Sequence, residues 1–195
     1  ARLPATFGTR DDFMNPVLCA LQEPDIRPEV GLACQAAYKG MVEHTDGLVG
    51  RVRRAFSAFV GGRGTPHLFG YLSDHGDTIG EHGVFGKKTF FEKSVKIPLL
   101  LAGTGVAAGR RWDEPVSILD VGPTVCAWAG AETPERADGQ SLASILRGED
   151  GPRGRAVLSE SMDKGPDGRW TYGCMARRGT YKFITYHGYE SQNML

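Results

Sequence analysis

The sequence predicts an α/β fold: a layer of helices and apolar strands followed by a small β-rich appendage. Three observations carry this. Apolar residues recur at helical spacing over 30–60. Two compact apolar runs, 66–73 and 95–102, have the length of strands. After residue 154 the texture changes to alternating segments bounded by turn residues.

Composition bounds the class. The chain has 195 residues with 23 Lys+Arg, 23 Asp+Glu and 5 His, so its formal net charge is zero. That length suits one domain, or one with a small addition. A 41% hydrophobic and 24% charged make-up is ordinary for a globular chain and excludes collagen-like, coiled-coil or disordered classes. Zero net charge argues against nucleic-acid binding, which needs surplus Lys and Arg to neutralise phosphates. No apolar run is long enough to span a bilayer. The opening ARLPATFGTRDDF lacks the basic and apolar regions of a signal peptide, and the chain does not begin with Met. Both ends are expected to be cuts. Cys19, Cys34, Cys126 and Cys174 show neither C-x-x-C spacing nor a disulfide framework, and are expected to be buried thiols.

Taken in order, residues 1–29 contain Pro4, Gly8, Pro16, Pro24 and Pro28 and read as irregular. Ala33, Ala37, Met41, Val42, Leu48, Val49, Val52, Phe56 and Phe59 predict one or two helices closed by Gly61-Gly62. Pro66 to Ser73 predicts a buried strand delivering polar residues at its carboxyl end. Residues 76–94 predict a long polar loop with one helical turn. Val95 to Ala102 predicts a second buried strand, and 103–111 a turn. Val116 to Ala129 reads as a short strand or loop, then a helix with Pro123 near its start and Gly130 at its end. A short helix is expected over Ser141–Leu146. The stretch 148–154 (GEDGPRG) is the best boundary, giving two parts, 1–150 and 151–195. Beyond it, AVLSESM, RWTYGCMAR and YKFITYHG predict antiparallel strands.

The chemistry concentrates in Ser73 to Pro98, SDHGDTIGEHGVFGKKTFFEKSVKIP. Sites in open α/β sheets form outside the carboxyl ends of strands. Asp74 and His75 offer an oxygen and an imidazole nitrogen to a divalent metal, and Gly76 lets the backbone bend away. Lys87, thirteen residues after Asp74, can return as a point charge for an anionic substrate. Metal and lysine together suit hydrolysis of a sulfate or phosphate ester, where charge builds on the outer and leaving oxygens. A solvated polar loop with Asp74 capping a helix is the competing reading.

Other candidates read as structural. His44 is expected on a helix surface, His67 in a structural role, and His82 either in loop packing or hydrogen-bonded beside the site. Lys88 is expected to point away from the site if Lys87 points in. Glu92 is expected to pair with a lysine or cap a turn. Phe85, Phe90 and Phe91 read as core, Trp112, Trp128 and Trp170 as packing, and Gly61 to Gly64 as a turn lacking phosphate-loop spacing.

The order of motifs resembles the C-terminal half of a sulfatase. The residues that carry this are Ser73 to Asp77, Gly80 to Gly83, Gly86 to Glu92 and Val95 to Leu100. They continue through Pro115 to Asp120, Pro123-Thr124, Ala129-Gly130, Asp138 to Leu142 and Arg178 to Phe183, with Tyr38 to Gly50 upstream. The match covers roughly 35–192. It implies part of an alkaline-phosphatase-like central sheet with flanking helices, then the start of a small antiparallel C-terminal subdomain. It further implies hydrolysis of a small-molecule or carbohydrate sulfate ester. The expected cofactors are a divalent metal, usually calcium, and a formylglycine carried by an N-terminal part outside this chain. By position, Asp74 and His75 are then metal ligands and Lys87 is the catalytic and sulfate-binding residue. Many sulfatases have Asn where His75 stands and a variant of the pattern has His, which is a soft ligand for calcium.

Two family features lack a counterpart. Asp11-Asp12 follows no apolar strand and lies too close to Tyr38 to be the family's early metal-binding pair. Cys174 to Arg178 fits the loose formylglycine pattern, but far downstream of its place and followed by Gly179-Thr180-Tyr181-Lys182. A buried strand cysteine beside solvated arginines is expected instead. With the nucleophile and two metal ligands absent, this chain alone is expected to turn over little. A phosphate or phosphonate monoester hydrolase, or a non-catalytic fragment exposing a sheet edge, are the alternatives. The resemblance leaves periplasmic, secreted and lysosomal locations open.

Overall fold

A single helix of 34 residues, α1 (Pro28–Gly61), opens the described part of the chain. The computed structural model describes residues 27–187 apart from 84, 88 and 165–167. Pro28 sits in the first turn, where a missing N–H does no harm, and Glu29 faces the positive end of the helix. The helix stops at Gly62, and the Arg63 guanidinium donates to the Phe59 carbonyl at 2.7 Å. The Phe56 ring meets His67 and Phe69 at 5.8 and 5.7 Å between centroids, so the chain folds back against its own helix.

Strand β1 (Leu68–Leu72) follows, and β4 (Leu99–Gly103) pairs with it antiparallel, Leu68 opposite Gly103 and Leu72 opposite Leu99. The sequence predicts both as buried strands, and here the structure corrects it. Their residues are half-buried or exposed, with Leu100 60% exposed. Among the described residues these two strands pair only with each other, and a two-stranded ladder cannot enclose both of its faces.

The segment between them is more ordered than a plain loop. A short hairpin joins β2 (Thr78–Ile79) to β3 (Phe85–Gly86), with a 3₁₀ turn over Glu81–Gly83 inside it. The helical turn α2 (Glu92–Val95) leads into β4. Because β4 runs antiparallel to β1, α2 returns to the carboxyl end of β1, where Asp74 lies.

After β4, a 3₁₀ turn over Ile118–Asp120 runs into α3 (Val121–Ala129), which Gly130 ends in the left-handed conformation. Asp120 is fully buried and accepts from the Ser117 amide at 2.7 Å, the Gln140 amide at 2.8 Å and the Arg155 guanidinium. Thr124 donates to the Asp120 carbonyl at 2.5 Å and accepts from the Leu142 amide at 2.8 Å. A Cβ on Gly139 would stand 1.9 Å from the Leu119 carbonyl oxygen, so this close crossing admits only glycine. The helical turn α4 (Ala143–Leu146) supplies Ala143, Ile145 and Leu146 to the core, and Leu142 just before it adds a fourth buried side chain.

Strands β5 (Ala156–Lys164), β6 (Trp170–Arg178) and β7 (Tyr181–His187) form an antiparallel sheet in that order, as the alternation predicts. Cysteine burial needs correction. Cys34 is exposed on α1, and Cys126 and Cys174 are half-buried, because the layers holding them are thin. Cys19, Asp11 and Asp12 lie outside the described residues. No described helix is long and apolar enough to cross a membrane.

Candidate functional site

The carboxyl end of β1 delivers Ser73, Asp74 and His75 into a sharp bend. The Ser73 hydroxyl donates to the His75 carbonyl at 2.7 Å, and the His75 amide donates to Asp74 Oδ1 at 3.0 Å. The Gly76 amide then donates to the Ser94 carbonyl of α2 at 2.7 Å. A Cβ on Gly76 would lie 2.0 Å from the Lys93 carbonyl oxygen, so the bend packs against α2 only with glycine there.

The His75 ring is held in one tautomer. Its Nδ1 is 2.9 Å from the Gly76 carbonyl, which can only accept, so Nδ1 carries the proton. Nε2 therefore keeps its lone pair, which accepts from the Lys87 ammonium at 2.8 Å. Asp74 Oδ2 stands 3.5 Å from the same Nε2. The three residues singled out from the sequence thus converge on one spot. Asp74 is 82% exposed and His75 about a third. The hydrogen bond from the His75 amide, with the nearby Lys87 and His75, holds the Asp74 carboxyl below its ordinary range. It is therefore anionic at neutral pH.

Asp74 and His75 are the two side chains here that could hold part of a cation's shell. Asp74 can offer a carboxylate oxygen, and His75 Nε2 becomes available to a cation only once Lys87 leaves it. Among the described residues no group of three or more His, Cys, Asp or Glu stands together. A complete calcium shell takes about six to eight ligands, so other groups must contribute most of it.

Neighbouring elements fix the loop. The buried Gln35 side chain of α1 donates to the Ile79 carbonyl at 3.0 Å, and the buried Thr78 hydroxyl donates to the Gly86 carbonyl at 2.6 Å. Burial, then the charge of Asp77 in the same loop, holds the Tyr38 hydroxyl of α1 above its ordinary pKa. His82 has a positive φ of 55° and stacks on Phe91 at 4.1 Å, so of its two expected roles the structure shows packing.

Glu92 pairs with a lysine, as expected: Oε1 accepts from Lys182 at 2.5 Å and from Arg177 at 2.8 Å. Arg177 is thereby corrected from a solvated arginine to an ion-paired one, because β6 carries it against α2. Phe90 is core, packed on Tyr186. His44 is exposed on α1, and His67 packs on Phe56. Lys88 lies outside the described residues. Sequence reasoning missed the roles of Asp120, Thr124 and Arg155. A hint lay in Ser117 three residues before Asp120, the spacing of a capping box.

Comparison with known proteins gives the family. A model of the sulfatase family matches residues 11–131, and a model of the C-terminal part of N-sulphoglucosamine sulphohydrolase matches residues 80–194. The chain belongs to the sulfatase family. Arylsulfatase K of Danio rerio is 34% identical over 163 residues, covering 78% of this chain and 29% of that protein. A solved 2-O GAG sulfatase superposes with a TM-score of 0.81 at 26% identity, covering 95% of this chain and 42% of the other. A phosphonate monoester hydrolase from Silicibacter pomeroyi superposes at 0.70 with 25% identity, covering 95% and 41%. The sulfatase chain is therefore α/β and alkaline-phosphatase-like. It spans about a third of the length of its curated relatives, and its family is one of hydrolases.

Proposed function

We propose that this sulfatase chain carries part of an active centre for hydrolysing sulfate esters, with Asp74, His75 and Lys87 as its working residues. The observation that supports it most is the convergence of Asp74 Oδ2 and Lys87 Nζ on His75 Nε2 at the end of β1. In this reading Asp74 and His75 are two ligands of a divalent cation, most simply calcium. Such a cation, when bound, stabilises negative charge on the ester oxygens. Lys87 binds the sulfate group and steadies charge on the leaving oxygen. Its flexible ammonium can leave the imidazole when an anionic substrate arrives.

The remaining ligands and a formylglycine nucleophile belong, in this reading, to an upstream part of a longer protein. Residues 1–150 then complete the main α/β domain and 151–195 begin the C-terminal subdomain. The 195-residue chain by itself has little or no turnover, since residues that act as a unit fail together. The substrate is a small-molecule or carbohydrate sulfate ester.

A second reading has one specific observation behind it, the superposition with a phosphonate monoester hydrolase. The same loop chemistry serves a phosphate or phosphonate monoester. Comparing an aryl sulfate with an aryl phosphate, using a longer polypeptide that includes the upstream segment, separates the two. The proposal expects faster sulfate hydrolysis and none from the 195-residue chain. Preferential phosphate hydrolysis would move the assignment to the second reading.

A further inference from the structure

We propose that the C-terminal sheet sets the position of Lys87, with Lys182 and Arg177 acting on it through Glu92 and the Phe90 carbonyl as positioning residues. The inference rests on the reading of Lys87 as a site residue and adds where its geometry comes from.

Lys87 lies between two fixed points. Upstream, Gly86 belongs to the β2–β3 hairpin, and its carbonyl accepts from the buried Thr78 hydroxyl. Downstream, Phe90 is 3% exposed and packs against Tyr186 of β7 and over Gly173 of β6, where a Cβ would come within 2.6 Å of its ring. The Phe90 carbonyl accepts from Lys182 at 2.7 Å. Phe90 follows Lys87 by three positions, a reach of at most about 11 Å of chain. With both ends held, the backbone of Lys87 has little freedom to move.

Lys182 is not an ordinary surface charge. Its side chain is 17% exposed, and a buried ammonium is costly unless its donors are satisfied. Here one donor goes to Glu92 Oε1 and another to the Phe90 carbonyl. Arg177 joins from β6, reaching the same Glu92 oxygen and the Gly179 carbonyl. Glu92 is 90 residues from Lys182 and 85 from Arg177, so the sheet must dock correctly before the clamp can close. Strands far from the site in sequence thereby specify where its lysine stands.

The test uses the 195-residue chain and the ¹⁵N resonance of His75 Nε2 at fixed neutral pH, which reports hydrogen bonding from Lys87. Lys87→Ala provides the reference for loss of that contact. The proposal expects Lys182→Met to move the resonance at least half-way to the K87A position, Glu92→Gln to move it in the same direction, and Lys182→Arg to restore part of it. A backbone amide spectrum shows whether each variant is folded, and E92Q carries the test should K182M fail to fold. If K87A moves the resonance while folded K182M and E92Q leave it unchanged, positioning by the sheet is overturned and the site reading stands. If K87A itself leaves it unchanged, the contact is absent in solution and both fall.

Discussion

Asp120 shows how much one buried carboxylate can hold. Its acceptors serve two backbone amides and the Arg155 guanidinium, tying the start of α3 to the 139–142 segment and to the approach to β5. Removing one partner of a buried pair leaves the other charge uncompensated, so Asp120→Ala is expected to cost about 3–5 kcal/mol. Chemical denaturation of the variant checks this. Gly139→Ala should destabilise by about 3 kcal/mol or more, since its added methyl meets the Leu119 carbonyl oxygen and backbone must move. The same experiment reads it. Only the Ser117 cap was hinted at in the sequence; the other partners of Asp120 stand 20 and 35 positions away, and nothing local marks the crossing at Gly139. Asp74, His75 and Lys87 were legible because their spacing within one loop and their order among the family's motifs lie in the sequence itself.

At the scale of elements, the loop between β1 and β4 works as a unit because the hairpin, α2 and the C-terminal sheet each hold it. Burial alone would raise the Glu92 carboxyl. The hydrogen bond and charge of Lys182, joined by Arg177, outweigh it and bring the carboxyl below its ordinary range. A depressed carboxyl stabilises the folded state above its unfolded value, near about 4.3, and that contribution fades as pH falls through the folded value. Wild type is therefore expected to exceed Glu92→Gln in thermal midpoint at pH 7. The gap should close as pH drops below about 4, in melting curves recorded across that range. Most elements were legible. The recurrence of apolar residues gave α1, and alternation gave β5, β6 and β7. Burial of β1 and β4 was not, because an apolar run carries no information about which neighbours cover it.

At the scale of the whole molecule, the described residues leave several large apolar side chains exposed. Met41, Leu48, Val52 and Phe59 are all exposed on α1. At about 100° per residue they fall within about 40° of one another around the helix, forming a stripe. Leu72 and Leu100 add exposed surface on the β1–β4 ladder. Such surface belongs in an interface or promotes association. The 195-residue chain is expected to bind an apolar dye and to self-associate in sedimentation runs. The double change Met41→Glu and Val52→Glu should reduce both without loss of helix by circular dichroism. A monomeric, dye-free chain would show that the stripe needs no cover.

Asp74, His75 and Lys87 are proposed to form one working centre. Its most direct test is kcat/KM for an aryl sulfate in a longer polypeptide that includes the upstream segment, comparing wild type with Asp74→Ala and Lys87→Ala. Loss of a charge-stabilising group at a reaction centre costs about a hundredfold to a thousandfold. Both variants are expected to lose at least that much, with folded structure retained. Sulfate-ester hydrolysis undiminished in folded D74A and K87A would contradict it and place the chemistry elsewhere.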